Sequence, residues 1–257
     1  MQTKMFEILD TTEKIEKLES PYSFEGNPVP RVTSILSEML HEEHLMTWAN
    51  NVGLYQRKKH TEYSEKACNI GTYAHEGFEI AVKEGIIDIR FFPFDRLQIP
   101  QELYIPVHNA IESFMKWWKN IKDNHTVEII MQEVPLVCKW YGGTVDCVMK
   151  IDGEVYIIDY KTSNYPSYKY HLQIAAYSII LENVYNINVD GSIILLLSKN
   201  SVAFEEQYMN FRRNQQHANY LVCLKEAFLS LVYGYYNRKM IESMYKQYLE
   251  NREVCIE

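Results

Sequence analysis

The pattern of hydrophobic and polar positions divides the chain into a helical first part and a mixed second part. Apolar residues at helical spacing predict helices over residues 10–18, 42–60, 65–84 and 101–123. Strands are predicted near residues 126–138, 140–150 and 154–161, before a helix over 167–184. The apolar run SIILLLSK predicts a strand buried on both faces, VAFEEQYM alternates like an edge strand, and residues 210–249 are predicted as a helix broken near Gly234.

This order of elements predicts an α/β protein with a central mixed β-sheet flanked by helices, and an N-terminal helical region that walls a cleft. The chain has 257 residues, 47% of them hydrophobic, and can bury one large core. We expect a single domain over 1–257, with a mainly helical region to residue 100, a core over 101–232 and a C-terminal helix and tail over 233–257. SFEGNPVPRV is extended and limited by prolines, and Thr33 or Ser34 either caps the next helix or binds phosphate.

Two strands joined by a tight turn collect the residues with the most chemistry. The dipeptide Asp152-Gly153 is a strong hairpin signal between GTVDCVMKI and VYIIDYK. With the turn centred there, Asp146 lies level with Asp159. Side chains alternate along a strand, so Asp159 and Lys161 leave one face, whereas Tyr160 points away and keeps its carbonyl near them.

Two carboxylates and an amine at adjoining strand ends suit the hydrolysis of a phosphodiester. Mg²⁺ is usually held by one or two carboxylates, phosphate oxygens and water, and it lowers the pKa of a bound water. Lys161 would position or deprotonate the attacking water, or neutralise the transition state. The alternative is a surface hairpin with an ordinary ion pair, but an unpaired carboxylate in the apolar strand YIIDY is costly. Two close acids resist ionisation without a metal, so we expect the metal-free protein to lose stability.

Several motifs in order resemble the PD-(D/E)xK nuclease superfamily. They are GGTVD, IIDYKTS and a helix with Q-x-x-x-Y at Gln173 and Tyr177, preceded by PRVTSIL, the tryptophan of LMTWAN and GTYAHEGFE. The arrangement covers about residues 28–232. It is more narrowly similar to the RecB-type branch, and within it to the mitochondrial genome maintenance exonucleases and related phage exonucleases. Val145, not proline, precedes the first acid, which is common in this branch.

The resemblance implies a role for each residue of the hairpin. Asp146 and Asp159 match the metal-binding acids, and Lys161 matches the catalytic lysine. The carbonyl of Tyr160 matches a main-chain metal ligand. The implied cofactor is one or two Mg²⁺ or Mn²⁺ ions.

The helices supply further candidates. Gln173 and Tyr177 match the motif that orients the lysine and contacts DNA, with a capping amide and a core tyrosine as the alternative. His75 matches an additional metal ligand and favours manganese, because Mg²⁺ prefers oxygen. Glu79 shares a helical face with His75 and lies either behind the metal or in solvent. Glu133 either lines the site or lies on a solvent face.

The net charge of −8 conflicts with binding of a polyanion unless positive charge is local. Basic residues cluster at 57–59, around Trp117-Trp118 and at Arg212-Arg213. Twenty tyrosines offer stacking surfaces for unpaired bases, and three of them surround Lys169. For Trp117-Trp118 a place in a core helix is the preferred interpretation. The candidate DNA contacts are Thr33, Ser34, Tyr165, Lys169 and Arg212.

The cysteines and the hydropathy of the chain indicate the cellular compartment of the protein. Five cysteines at wide, irregular spacing form neither a disulfide framework nor a zinc pair, so we expect a reducing compartment. They lack the close grouping that holds an iron–sulfur cluster in some RecB-type nucleases, so no cluster is expected. No apolar run could span a bilayer, and we expect no signal or transit peptide. These features predict a cytoplasmic protein, in the host cytoplasm if viral, that is not secreted and does not bind membranes.

The sequence as a whole predicts a metal-dependent deoxyribonuclease that acts in DNA replication, recombination or repair. The resemblance implies an exonuclease, and the aromatic surface favours single-stranded DNA or free ends. Replication or recombination proteins are candidate partners. The alternatives are a structure-selective DNA endonuclease and a catalytically inactive nucleic-acid-binding protein of the same fold.

Overall fold

A computed structural model describes residues 20–40 and 60–253 of the chain. Its helices are α1 (Val32–Met39), α2 (His60–Lys83), α3 (Gln101–Asn124), α4 (Tyr168–Asn183) and α5 (Gln215–Glu253). Its strands are β1 (Ser23–Phe24), β2 (Asn27–Pro28), β3 (Val127–Val137), β4 (Gly142–Ile151), β5 (Glu154–Lys161), β6 (Gly191–Leu197) and β7 (Phe204–Asn210). The helix predicted at 10–18, nearly all of that at 42–60, the tryptophan of LMTWAN and the basic residues 57–59 lie outside the described residues.

One five-stranded sheet forms the centre of the fold, in the order β3-β4-β5-β6-β7. Strands β3, β4 and β5 pair antiparallel, β5 and β6 pair parallel, and β7 returns antiparallel to β6. The parallel pair needs a crossover, which α4 supplies. The predicted α/β fold with a mixed sheet flanked by helices is confirmed.

The hairpin between β4 and β5 forms as the sequence predicts. Asp152 and Gly153 have φ of 51° and 85°, so both turn residues adopt the left-handed backbone of a type I′ turn. The register runs from Ile151 opposite Glu154 to Cys147 opposite Ile158. One further step places Asp146 opposite Asp159.

Hydrophobic cores cover both faces of the sheet. Helices α2 and α3 cover one face, where Phe78, Phe114 and Tyr160 pack together. Trp117 and Trp118 belong to this core at 0% and 2% exposure, which confirms the core interpretation and rules out a base-stacking platform. Helices α1, α4 and α5 cover the other face.

Two predictions about the helices are wrong. Helix α5 runs through Gly234 without a break; a Cβ there would lie 2.9 Å from Met39 Cε, so the glycine allows α1 to pack closely. Helix α1 is not capped by Thr33 or Ser34, because its N-cap residue is Arg31 without a side-chain hydrogen bond.

Two further segments differ in detail from their predictions. The late helix, predicted over residues 210–249, begins at Gln215 and so excludes Arg212-Arg213. Asn214 precedes it, and the Oδ1 of Asn214 accepts a hydrogen bond from Gln216 N at 2.9 Å. The extended segment before α1 folds into the short hairpin β1–β2. No helix within the described ranges combines the length and apolar character needed to cross a lipid bilayer.

Candidate active site

Three of the predicted groups converge at one end of β5. Asp146 and Asp159 are 8% and 1% exposed. Asp146 Oδ2 accepts a hydrogen bond from the backbone N of Tyr160 at 2.7 Å. Lys161 Nζ lies 2.7 Å from Asp159 Oδ1 and 2.6 Å from Oδ2, and 5.1 Å from the ring centre of Tyr170. The acids are therefore held on two neighbouring strands, with the lysine beside one of them.

Helix α2 brings His75 to the same place. Its Nε2 lies 3.1 Å from the carbonyl oxygen of Tyr160, and its Nδ1 lies 3.6 Å from Asp146 Oδ1. The Tyr160 ring points into the core between the sheet and helices α2 and α3, where it contacts the ring of Phe78 edge-on. The alternation of side chains along β5 thus places the Tyr160 carbonyl at the site while its ring anchors the strand.

Glu133 on β3 completes the arrangement, which resolves the alternative that the sequence left open. Its Oε1 lies 3.7 Å from His75 Nδ1. The register pairs Gln132 with Cys147 and Val134 with Val145, so Glu133 lies opposite Asp146. Its φ of 50° is rare for a residue other than glycine, and such strain clusters at functional sites. The alternation of residues along a strand does not predict this left-handed backbone conformation of Glu133.

Gln173 and Tyr177 on α4 lie behind the acids. Gln173 Nε2 donates to the Tyr177 hydroxyl at 3.2 Å, and both side chains are buried. Gln173 does not cap the helix, because Ser167 does. Burial, with the charges of Asp146 and Asp159, raises the pKa of Tyr177 well above its ordinary value, so its hydroxyl keeps its proton. The pair is therefore a neutral, hydrogen-bonded wall of the site.

Burial and neighbouring charges shift the ionisation of the site. Burial and the charge of Asp146, against the opposing effect of Lys161, raise the pKa of Asp159 to about 6. Burial acts to lower the pKa of Lys161, but Asp159 and Asp146 outweigh it and the pKa is raised. For His75 the effect of burial is likewise outweighed by Asp146 and Glu133, and its pKa is raised. The carboxylates of the site thus stabilise the positively charged forms of His75 and Lys161.

The donor set fits a divalent metal ion. One ligand atom each from His75, Glu133 and Asp146 lies within 4.8 Å of the others, close enough for one ion to bridge with small side-chain movements. Asp159 lies beside this donor set at 1% exposure, and Lys161 Nζ, 2.6 Å from its Oδ2, is the cation that balances its charge. Carboxylate oxygens with one imidazole suit Mn²⁺ and, less well, Mg²⁺.

The candidate DNA contacts do not form one cluster: Tyr165 lies near this centre, in the loop that follows Lys161, and the others lie on α1, on α4 and after β7. Thr33 is exposed and Ser34 half-buried on α1. Lys169 Nζ donates to the Leu40 carbonyl at 2.9 Å, and Tyr165 is 80% exposed in the loop after β5. Arg212 follows β7, whose last residue pairs with the first residue of β6, so it lies at the opposite end of the sheet from Lys161. Glu79 forms an ion pair with Lys83 on α2.

The family model of the PD-(D/E)XK nuclease superfamily matches residues 52–232. The chain therefore belongs to this superfamily, whose members hydrolyse nucleic acid with divalent metal ions. No curated protein matches the chain. Among solved structures, the crystal structure of SSO0001 is similar over 90% of this chain and 83% of its own chain, at 14% sequence identity and a TM-score of 0.31. This similarity is too low to support a conclusion about function.

Proposed function

We propose that the protein is a divalent-metal-dependent DNA exonuclease of the RecB-type branch that prefers single-stranded DNA. The observation that carries the proposal is the convergence of Asp146, Asp159 and Lys161 with an imidazole, at the end of a hairpin in a nuclease fold. An inactive binding protein would have no need to keep two buried acids beside a buried lysine, because the burial of charge is costly.

Each residue has a defined task in this proposal. Asp146, Asp159, His75 and the Tyr160 carbonyl hold the ion, and Glu133 joins them because it lies within reach of the same imidazole. When bound, the ion lowers the pKa of water and offsets the negative charge of the phosphate. Lys161, charged and fixed by Asp159, orients the attacking water and stabilises charge on the phosphate oxygens.

The surface near the site supports the proposed preference for single-stranded DNA. Tyr165 is exposed in the loop that follows Lys161, where its ring can stack on an unpaired base. The exonuclease assignment and a role beside replication or recombination proteins rest on the resemblance to the RecB-type branch. The free cysteines in the described part of the chain agree with a reducing, cytoplasmic location.

The proposal is tested with end-labelled linear and circular single-stranded DNA in Mg²⁺ or Mn²⁺. We expect the linear strand to be degraded, the circle to persist, and Asp159→Asn to be inactive on both. Degradation of the circle would show that the protein is an endonuclease and not an exonuclease. Equal activity of wild type and Asp159→Asn would show that the site is wrong, and no hydrolysis by either would favour a binding protein.

Lys161→Ala separates catalysis from binding. We expect hydrolysis to fall by about 10²–10⁴-fold, because the charge that positions the water is lost, while the dissociation constant for DNA changes little. Binding is measured by fluorescence anisotropy with Ca²⁺ in place of Mg²⁺, and hydrolysis in single turnover. Lys150→Ala is the matched control, since Lys150 pairs with Glu128 near the other end of the hairpin. Lost affinity with intact turnover would contradict the role.

A further inference from the structure

A second concavity lies beside the candidate active site and has no part in the mechanism above. Its volume is about 300 Å³, at the lower end of the range for small-molecule sites. It forms where the loop after β5 meets the ends of β6 and β7. The residues that matter for its chemistry are Asn164, Leu196, Ser198, Asn200, Phe204 and Glu205.

The sheet register places this cavity one strand away from Lys161. Lys161 pairs with Leu196 in the parallel register of β5 and β6, and paired residues point to the same face. Leu196 lines the cavity, and adjacent strands lie about 4.8 Å apart. The cavity therefore begins within reach of the nucleotide next to a phosphate held at Lys161.

The lining suits a neutral, planar group rather than a phosphate. No lysine or arginine lines the cavity among the described residues, and the carboxylate of Glu205 would repel an anion. Asn200 Nδ2 lies 3.4 Å from Asn164 Oδ1, and within the described chain the other amide atoms of these two side chains have no hydrogen-bond partner. Amides can pair with the edge of a base, and the partly exposed ring of Phe204 can stack on its face.

We propose that this cavity is a nucleobase subsite, which holds the base of a nucleotide next to the cleaved bond. The proposal rests on the proposed nuclease function and adds base recognition to it. An ionised Glu205 only accepts hydrogen bonds, so a base with an exocyclic amino group is favoured over thymine at this position.

The test uses single-stranded oligodeoxynucleotides in which one nucleotide, at successive positions, is abasic or thymidine in an otherwise cytidine strand. We expect wild-type cleavage to slow when the abasic nucleotide occupies one fixed position relative to the cut bond, and less strongly for thymidine. Phe204→Ala should raise KM by about fivefold to 150-fold, the range for loss of one stacked base. Asn200→Ala should weaken the dependence on the abasic position, because the stacking on Phe204 remains, and Glu205→Gln should remove the bias against thymidine.

Controls separate this proposal from the nuclease assignment. Phe204, Asn200 and Glu205 are exposed, so their replacement removes little buried surface. Phe91→Ala and Asn183→Ala remove an exposed aromatic ring and an exposed amide away from the cavity and should match wild type. Cleavage that ignores the abasic position, or cavity variants with wild-type KM, would overturn the subsite and leave the nuclease assignment intact. A wild type that cleaves no oligonucleotide would overturn both.

Discussion

Glu133 shows how a single side chain can matter more than its sequence context suggests. It lies in a strand whose residues alternate without an obvious special position, yet its backbone is left-handed and its carboxylate reaches His75. Strain of this kind costs of order 1–3 kcal/mol and persists where the surrounding structure fixes it. The contact of this carboxylate with the imidazole of His75 is the favourable interaction that the strained backbone makes possible.

Glu133→Gln should weaken metal binding, because a neutral amide replaces a charged oxygen in the proposed ligand set. We expect the affinity for Mn²⁺ to fall by at least about tenfold. Calorimetric titration of the metal-free protein measures this directly, and the Mn²⁺ concentration that gives half-maximal hydrolysis should shift with it. Glu128→Gln, on the same strand and paired with Lys150, should bind Mn²⁺ as wild type does. Unchanged affinity in Glu133→Gln would remove it from the ligand set.

The buried carboxyl of Asp159 should make the metal-free protein sensitive to pH. Burial raises its folded-state pKa to about 6 from an ordinary value of 3.8. A raised pKa favours the folded state below the unfolded value, and this contribution is lost as the pH rises through about 6. The groups that face it are Lys161, Asp146 and His75, and the raised pKa of His75 acts in the same direction.

The measurement is the melting temperature in the presence of chelator, from about pH 4 to pH 7. We expect the melting temperature of the wild type to fall relative to that of Asp159→Asn as the pH rises over this window, because the amide does not titrate. Asp123→Asn, which replaces an exposed acid on α3, should follow the wild-type curve. Parallel curves for wild type and Asp159→Asn would contradict the raised pKa.

Among the secondary-structure elements, the hairpin of β4 and β5 is where the sequence was most informative. Its turn needs two left-handed residues, which Asp152-Gly153 supply, and the strand period of two then determines which side chains meet. Local rules were sufficient because both strands and the turn are contiguous. The same rules placed α3 and α4 within one residue at each end.

What sequence patterns missed depends on contacts between distant segments. Glu133 is drawn to the site by the pairing of β3 with β4, and Gly234 is small because α1 packs against it. Arg212 looked basic and accessible, but the register of β7 places it at the far end of the sheet. No local propensity carries this information.

The packing of α4 against β4 can be tested at Gly143. A Cβ there would lie 2.7 Å from the Tyr177 hydroxyl and 2.8 Å from its Cε1, so Gly143→Ala must displace the ring. We expect a loss of about 1–3 kcal/mol in the free energy of unfolding, with a parallel loss of hydrolysis as Gln173 moves. Chemical denaturation gives the first quantity and single-turnover kinetics the second.

Gly71 in α2 provides the matched control. A Cβ there would lie 3.6 Å from Thr162 Oγ1, an ordinary contact, so Gly71→Ala should be neutral or stabilise the protein by up to about 1 kcal/mol through helix propensity. If Gly143→Ala is as stable as wild type, the close approach of α4 to β4 is not as tight as the structure has it.

For the complete fold, the two halves of α5 contribute differently. One face of its first half is buried as far as Tyr235, in the core that it shares with α1 and α4, and the family match ends at residue 232. Beyond Glu242 the described side chains are almost all exposed, including Met244, Tyr245 and Tyr248. The site therefore depends on the first half, which packs behind α4.

A chain that ends at Glu242 should keep its fold and its activity. It retains the ion pairs of Arg238 and Lys239 with Glu38, and it loses almost no buried surface, so we expect the melting temperature to change by less than about 2 °C. A chain that ends at Leu231 removes the buried Val232 and Tyr235, and its melting temperature should fall by about 10 °C or more. Scanning fluorimetry of the two truncations beside the full chain measures the difference. Equal losses in both would mean that the exposed half of α5 stabilises the protein through contacts that burial does not reveal.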